Sequence, residues 1–238
     1  MKIITTCEHG GNLIPGQFTG NFNDAAAELN SHLGIDFGAL DAFQALSGEI
    51  SDFSLYSEVS RLLVDLNRSL DSPDLFSKYT RKLPENIRKM ILDEYYFPYR
   101  ETVIKKMKEY LQSGEKVIHI SVHSFTPVLN GQPRKNDVGL LFDPDKGEEA
   151  GFCMIWKKSM EKVMSGIMIQ YNYPYQGTND GFTKYLREMF PAGYAGIELE
   201  INQKYFSHGR MDKKITKMIT KSFEMSLRTC NDPVTPFD

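Results

Sequence analysis

Short apolar runs rich in β-branched residues recur along the chain: Lys2–Thr6, Arg61–Leu66, Val117–Val122, Val138–Phe142, Ile167–Tyr171 and Gly196–Ile201. Each is bounded by Gly, Pro, Asn, Asp or His, the pattern of buried strands. Helical periodicity fills the intervals. Phe37–Leu46 follows Asp36, a residue type that caps helix starts. Pro84–Gln112 is long and amphipathic, ends at Ser113-Gly114, and contains Pro98 as an expected kink. Glu148–Met164, Phe182–Met189 and Met211–Arg228 complete the helices. Strands alternating with helices predict one α/β domain over residues 1–231, with a mostly parallel or mixed sheet and helices on both faces. Asp232–Asp238 carries two prolines and reads as a frayed C-terminal tail.

Ligands of open α/β sheets gather beyond the carboxyl ends of the strands, and this chain places its polar residues there. The first strand runs into Cys7-Glu8-His9-Gly10-Gly11-Asn12 and the second into Asp65-Leu66-Asn67-Arg68. The third runs into His123-Ser124-Phe125-Thr126, and the last carries Glu198-Leu199-Glu200-Ile201-Asn202. His9 and His123 therefore point toward a common cleft. Two imidazoles and a carboxylate with an open fourth position make a hydrolytic zinc site. The carboxylate candidates are Asp36 and Glu8. Asn12 has the spacing but not the chemistry. His119 shares strand parity with His123 and is a supporting candidate, while His32 and His208 read as solvated loop residues.

Glu198, Glu200 and Asn202 alternate with Leu199 and Ile201, so one face of that strand is polar. Two readings fit: a half-exposed edge strand, or a glutamate serving as general base. Arg61, Asn67 and Arg68 flank the second apolar run, where a guanidinium grips a substrate carboxylate or pairs with Asp65 or Asp71. Gly10-Gly11 lets backbone approach a ligand closely. The segment Tyr171–Gly181 is a long tyrosine-bearing loop of the kind that binds ligands. No phosphate-binding loop or dinucleotide fingerprint is present.

Charge and composition narrow the classes. The 28 Lys and Arg nearly balance 31 Asp and Glu, for a net charge of −3, which argues against a nucleic-acid binder. No apolar stretch is long enough for a membrane span, and the opening run is too short for a signal-peptide core. Three widely spaced cysteines make no disulfide framework. A cytoplasmic protein acting on small molecules is the resulting expectation. A cysteine hydrolase using Cys7, and a binding protein with a degraded site, are the competing classes.

Six blocks taken in order resemble the N-formylglutamate amidohydrolase family. They are Cys7-Glu8-His9-Gly10-Gly11-Asn12-x-Ile14-Pro15, His32-x-Gly34-x-Asp36-x-Gly38-Ala39, Ser60-Arg61-x-x-x-Asp65-x-Asn67-Arg68, His123-Ser124-Phe125-Thr126-Pro127, Asn172-x-Pro174-Tyr175-x-Gly177 and Glu198-x-Glu200-Ile201-Asn202. The resemblance implies a three-layer α/β/α domain, phosphorylase/hydrolase-like and related to zinc carboxypeptidases. It implies zinc on His9, Asp36 and His123, Glu200 as general base, and Arg61 as a catalytic cation. Asn67, Arg68, Asn172, Tyr175 and Gly177 are the implied substrate contacts. The implied substrate is an acidic N-acyl-amino acid such as N-formylglutamate, with other acyl-amino acids or short peptides as alternatives. Carboxypeptidases place their acidic ligand three residues after the first histidine, where this chain has Asn12.

Overall fold

Five of the six predicted runs pair into one sheet. The computed structural model describes residues 1–231, so the expected tail at Asp232–Asp238 lies outside the described residues. The strands are β1 (Lys2–Cys7), β2 (Phe53–Tyr56), β3 (Val117–Phe125), β4 (Val138–Leu141), β5 (Ile169–Tyr171) and β6 (Tyr194–Asn202). Their order is β2-β1-β3-β6-β4-β5. β2, β1, β3 and β6 run parallel, β4 opposes β6, and β5 runs parallel to β4. The sheet is therefore mixed, as expected.

Besides a four-residue helix at Ala26–Leu29, the helices are α1 (Ala39–Ile50), α2 (Glu85–Ile91), α3 (Phe97–Gln112), α4 (Gly147–Val163), α5 (Phe182–Met189) and α6 (Lys213–Asn231). They cover both faces of the sheet. One core joins Phe43 and Leu46 of α1, Phe152 and Trp156 of α4, and Ile215, Ile219 and Phe223 of α6 to the sheet. The opposite core joins Ile91 of α2, Val103 and Met107 of α3, and Phe182 and Leu186 of α5. The result is a three-layer α/β/α sandwich. Covered on both sides, β3 and β6 are buried at every position. Polar residues within them must therefore find partners inside the protein.

Three expectations are corrected. Arg61–Leu66 is not a strand. It is a succession of turns, with Leu63 N–H donating to Ser60 O and Arg68 N–H to Asp65 O. Leu62, Leu63, Val64 and Leu66 are nonetheless buried in the second core. An apolar run reports burial, and here tight turns deliver it without a ladder. The edge place beside β1 belongs to β2, whose side chains alternate between half-buried and exposed.

Glu198–Asn202 is not an edge strand either, since β6 lies between β3 and β4. Asp36 does not cap α1. Gly38 takes the cap position at φ +78°, and the Asp36 carbonyl accepts from Ala39 N–H at 3.0 Å. A Cβ at Gly38 would lie 2.7 Å from Met211 Cε, so glycine suits both the dihedral and the close packing. Released from capping, the Asp36 side chain turns toward the histidines.

Pro98 breaks nothing. The helix runs on through a π-helical turn, Leu92–Tyr96, whose Phe97 N–H donates to the Leu92 carbonyl five residues back, and Pro98 follows that turn at the start of α3.

Candidate active site

The carboxyl ends of β1, β3 and β6 open onto one cleft of ≈ 160 Å³. His9, Asp36, Arg61, Asn67, Arg68, His123, Tyr175, Glu198 and Glu200 all line it. His9 lies two residues past β1, and its carbonyl accepts Asp36 N–H at 3.1 Å. Ser124 Oγ donates to the Phe37 carbonyl at 2.8 Å, and Ser60 Oγ donates to the Gly34 carbonyl at 2.9 Å. These bonds pin the segment carrying Asp36 against the ends of β1 and β3.

The Nδ1 atoms of His9 and His123 lie 3.3 Å and 2.9 Å from the same atom, Asp36 Oδ2. All three donors fall within 4.8 Å of one another, and all three residues are buried. Tetrahedral zinc with bonds of about 2.0–2.1 Å holds its ligands about 3.3–3.5 Å apart, so the triad suits such an ion.

The remaining ring nitrogens are also committed. His9 Nε2–H donates to Asp65 Oδ1 at 2.7 Å. Ser121 Oγ–H donates to Glu8 Oε2 at 2.6 Å, so its oxygen accepts from His123 Nε2–H at 2.8 Å. Each Nε2 thus has a partner behind the ring, which leaves each Nδ1 as the nitrogen aimed at Asp36 and the cleft. A carboxylate stands behind each imidazole, the arrangement that orients histidine ligands of metals.

Charge supports the same conclusion. Asp36, Glu8 and Asp65 are buried carboxylates, and Arg61 is the cation beside two of them, 2.6 Å from Asp65 and 3.5 Å from Asp36. Burial by itself would raise all three carboxyl groups. For Glu8 the hydrogen bonds and charge of His123, with Ser121, overcome it. For Asp36 the two histidines do so, and for Asp65 Arg61 and then His9. All three are held below the usual carboxylate range. Burial opposes it, but the bonds and charge of Asp36 and Glu8 raise His123 well above the usual imidazole range, so these carboxylates draw positive charge to the very place a bound cation would occupy.

Glu200 is the exception. It is buried, and its Oε2 has no hydrogen-bond partner among the described residues. Burial pushes its carboxyl up to about 8, with His123 opposing and Asp36 and Glu198 adding to the rise. Glu198 differs, because Thr183 Oγ1 donates to its Oε1 at 2.6 Å. Gly139 faces Glu200 across the ladder, and a Cβ there would lie 2.2 Å from the Tyr173 carbonyl. Glycine is therefore required beside this glutamate.

Other expected residues divide. Arg68 Nη1 donates to the Asp180 carbonyl at 2.5 Å, and Arg68 lines the cleft. Asn67 joins two elements: its Oδ1 accepts Phe182 N–H at the start of α5 at 2.7 Å. Arg61 donates through Nε and Nη2 to Asp65 Oδ2, which is the pairing alternative. From the long loop, Tyr175, Gln176, Asn179 and Asp180 reach the cleft.

Asn172 and Gly177 stand outside the cleft lining. Asn172 Oδ1 accepts the backbone N–H groups of Phe142 and Gly177, and Gly177 packs where a Cβ would lie 2.2 Å from Phe142 N. They shape the loop and do not line the cleft. Gly10 and Gly11 admit chain rather than ligand, since Cβ atoms there would lie 3.0 Å from the Ser57 carbonyl and 2.3 Å from that of Glu58.

One residue escapes the sequence reading. Asp65 stands out there only as a partner of Arg61, although its place at the end of an apolar run is a usable signal. His32 is exposed, as expected of a solvated residue, and it also lines the cleft. His119 lies deeper, between Thr6 Oγ1 (2.8 Å) and the Tyr194 hydroxyl (2.9 Å), and burial pushes its imidazole down to about 4.

Cys7 is fully buried, and burial raises its thiol well above the usual range. That is the opposite of what a nucleophilic cysteine requires. Replacing Asp65 with Asn should weaken metal affinity about 10–100-fold. A chelator-competition titration checks this, and an unchanged affinity would remove Asp65 from the orienting role.

An α/β/α sandwich with two histidines and an aspartate converging at the strand ends defines a hydrolase-type centre. Residues 1–207 match the N-formylglutamate amidohydrolase family model. The chain belongs to this family, whose members hydrolyse amide C–N bonds. A gene product of Agrobacterium tumefaciens is similar in structure, with 26% identity and a TM-score of 0.82 over 97% of this chain and 92% of that one. An N-formylglutamate amidohydrolase from Ralstonia eutropha shares the fold at 17% identity and a TM-score of 0.69, over 96% and 92%. A metallo-carboxypeptidase from Burkholderia cenocepacia matches at 10% identity and a TM-score of 0.36, over 96% and 56%. No curated protein matches the chain significantly. No helix among the described residues is long and apolar enough to cross a membrane.

Proposed function

We propose that this protein is a zinc-dependent amidohydrolase that removes the N-formyl group from an acidic amino acid, N-formylglutamate being the simplest substrate. The observation that carries the reading is the convergence of His9 Nδ1, His123 Nδ1 and Asp36 Oδ2 in a cleft also lined by the unpartnered carboxyl of Glu200. These three residues would hold the ion, and an imidazole–imidazole–carboxylate set favours zinc among common divalent metals. Zinc in such a site supplies Lewis acidity toward water and toward the amide carbonyl.

The rest is done by the chain. Glu200 takes the proton of the attacking water at Oε2, the oxygen with no other partner, and returns it to the departing amine nitrogen. Arg61, fixed by Asp65, presents positive charge toward the cleft where the oxyanion develops. Arg68 supplies a guanidinium for a substrate carboxylate. Asp65 and Ser121, the latter backed by Glu8, hold the imidazole tautomers.

Metal analysis combined with a deformylation assay tests the reading. Zinc-replete protein should release formate and free glutamate from N-formyl-L-glutamate, lose the activity to a chelator, and regain it with added zinc. A zinc-replete preparation that releases neither product from any member of an N-acyl-amino-acid panel would overturn it.

A further inference from the structure

A second space of ≈ 440 Å³, bordered by the turns between Arg61 and Arg81, lies next to the cleft. The two spaces share His32, Arg61, Arg68 and Tyr175 as lining residues, so they adjoin. The outer chamber has an apolar side built from Leu33, Leu62, Pro73 and Phe76. Leu33 is 49% exposed there, an apolar surface left wet beside a polar cleft.

Charge in the chamber is unequally committed. Lys78 is paired with Glu28 at 2.5 Å, and Arg61 with Asp65. The exposed Arg81 guanidinium has no hydrogen bond or ion pair among the described residues. Asp74, also exposed, is the one carboxylate on the same wall besides the buried Asp65.

We infer that the outer chamber binds a second, apolar amino-acid residue, so that the preferred substrate is an N-formylated dipeptide of an acidic residue followed by an apolar one. The inference rests on the deformylase reading for the bond cleaved. Arg68 lies on the shared wall, where a glutamate α-carboxylate would sit. Converting that carboxylate to a peptide bond carries the chain into the outer space. The apolar side chain then covers Leu33 and Phe76, and the terminal carboxylate pairs with Arg81. Asp74 disfavours a second acidic side chain. Water still adds across the formamide: its C–N bond breaks, the oxygen goes to formate, and the dipeptide leaves with the proton on its amine.

Binding and turnover are measured separately. L-glutamyl-L-leucine should bind zinc-replete protein about tenfold more tightly than L-glutamate by calorimetry. N-formyl-L-glutamyl-L-leucine should show a similar advantage in kcat/KM over N-formyl-L-glutamate, mostly through KM. Both R81A and L33D, surface substitutions, should bring these ratios toward one. Equal affinity for the two product ligands overturns the chamber assignment even if formate is released. Tighter dipeptide binding with no formate from either substrate supports the chamber and overturns the deformylase. Variants that retain the full wild-type ratios overturn the assignment to Arg81 and Leu33.

Discussion

Glu200→Gln should abolish turnover, lowering kcat by about 10³–10⁴-fold, while leaving zinc content and fold intact. Glutamine keeps the shape of the side chain but cannot take up a proton. No hydrogen bond to Oε2 is lost, because none exists among the described residues. A buried carboxyl without a partner costs stability when it ionises, so the variant should melt at the same temperature as wild type or higher. The buried carboxyl at about 8 is mostly protonated at neutral pH. Opposite charge nearby favours the carboxylate, so Glu200 ionises as the neighbouring donor set takes up a dication. Formate release, metal analysis and thermal unfolding on one preparation make the test. Turnover within tenfold of wild type would take Glu200 out of the base role. Glu198→Gln, which loses the bond from Thr183, is the control and should act on stability before chemistry.

Asp36→Asn should empty the site. Asp36 Oδ2 is the atom that both Nδ1 nitrogens approach, so it supplies both a ligand and the charge that fits a cation. Loss of an orienting partner alone costs about 10–100-fold in metal affinity, and loss of the ligand itself should exceed that range. Zinc stoichiometry after dialysis should fall from one toward zero, with activity falling in parallel and returning only at high added zinc. The substitution leaves the backbone bond from this position to the His9 carbonyl in place, so the loss can be read separately from unfolding. Full stoichiometry in this variant would leave Glu8 as the acidic ligand. That outcome would require Glu8 to leave Ser121 and the Tyr99 hydroxyl, which donate to it at 2.6 Å and 3.1 Å.

Some of this was legible along the chain. Strands β1, β3, β4 and β6 were visible because a strand covered on both faces must be nearly continuous in apolar residues. Polar residues at the ends of such runs then stand out, His9, His123 and Glu200 among them. Arg61–Leu66 misled for the same reason, since a buried run of turns and a buried strand carry the same composition. The long Pro84–Gln112 pattern was correctly helical, but its π turn at Leu92–Tyr96 leaves no mark in a 3.6-residue period.

The sequence by itself determined the fold class, the strand ends that hold the chemistry, and the residue types available there. Those depend on local burial and periodicity, which each segment carries within itself. Only the tertiary structure decided which carboxylate meets which histidine. Asp36 reaches the two Nδ1 atoms across 27 and 87 residues, Asp65 reaches His9 across 56, and Glu8 meets Ser121 across 113. Asp36, Glu8 and Asp65 are chemically equivalent as acids. Their roles as ligand candidate and as orienting partners follow from strand register and from the path of the turns around Gly38 and Asp65, which no local pattern records.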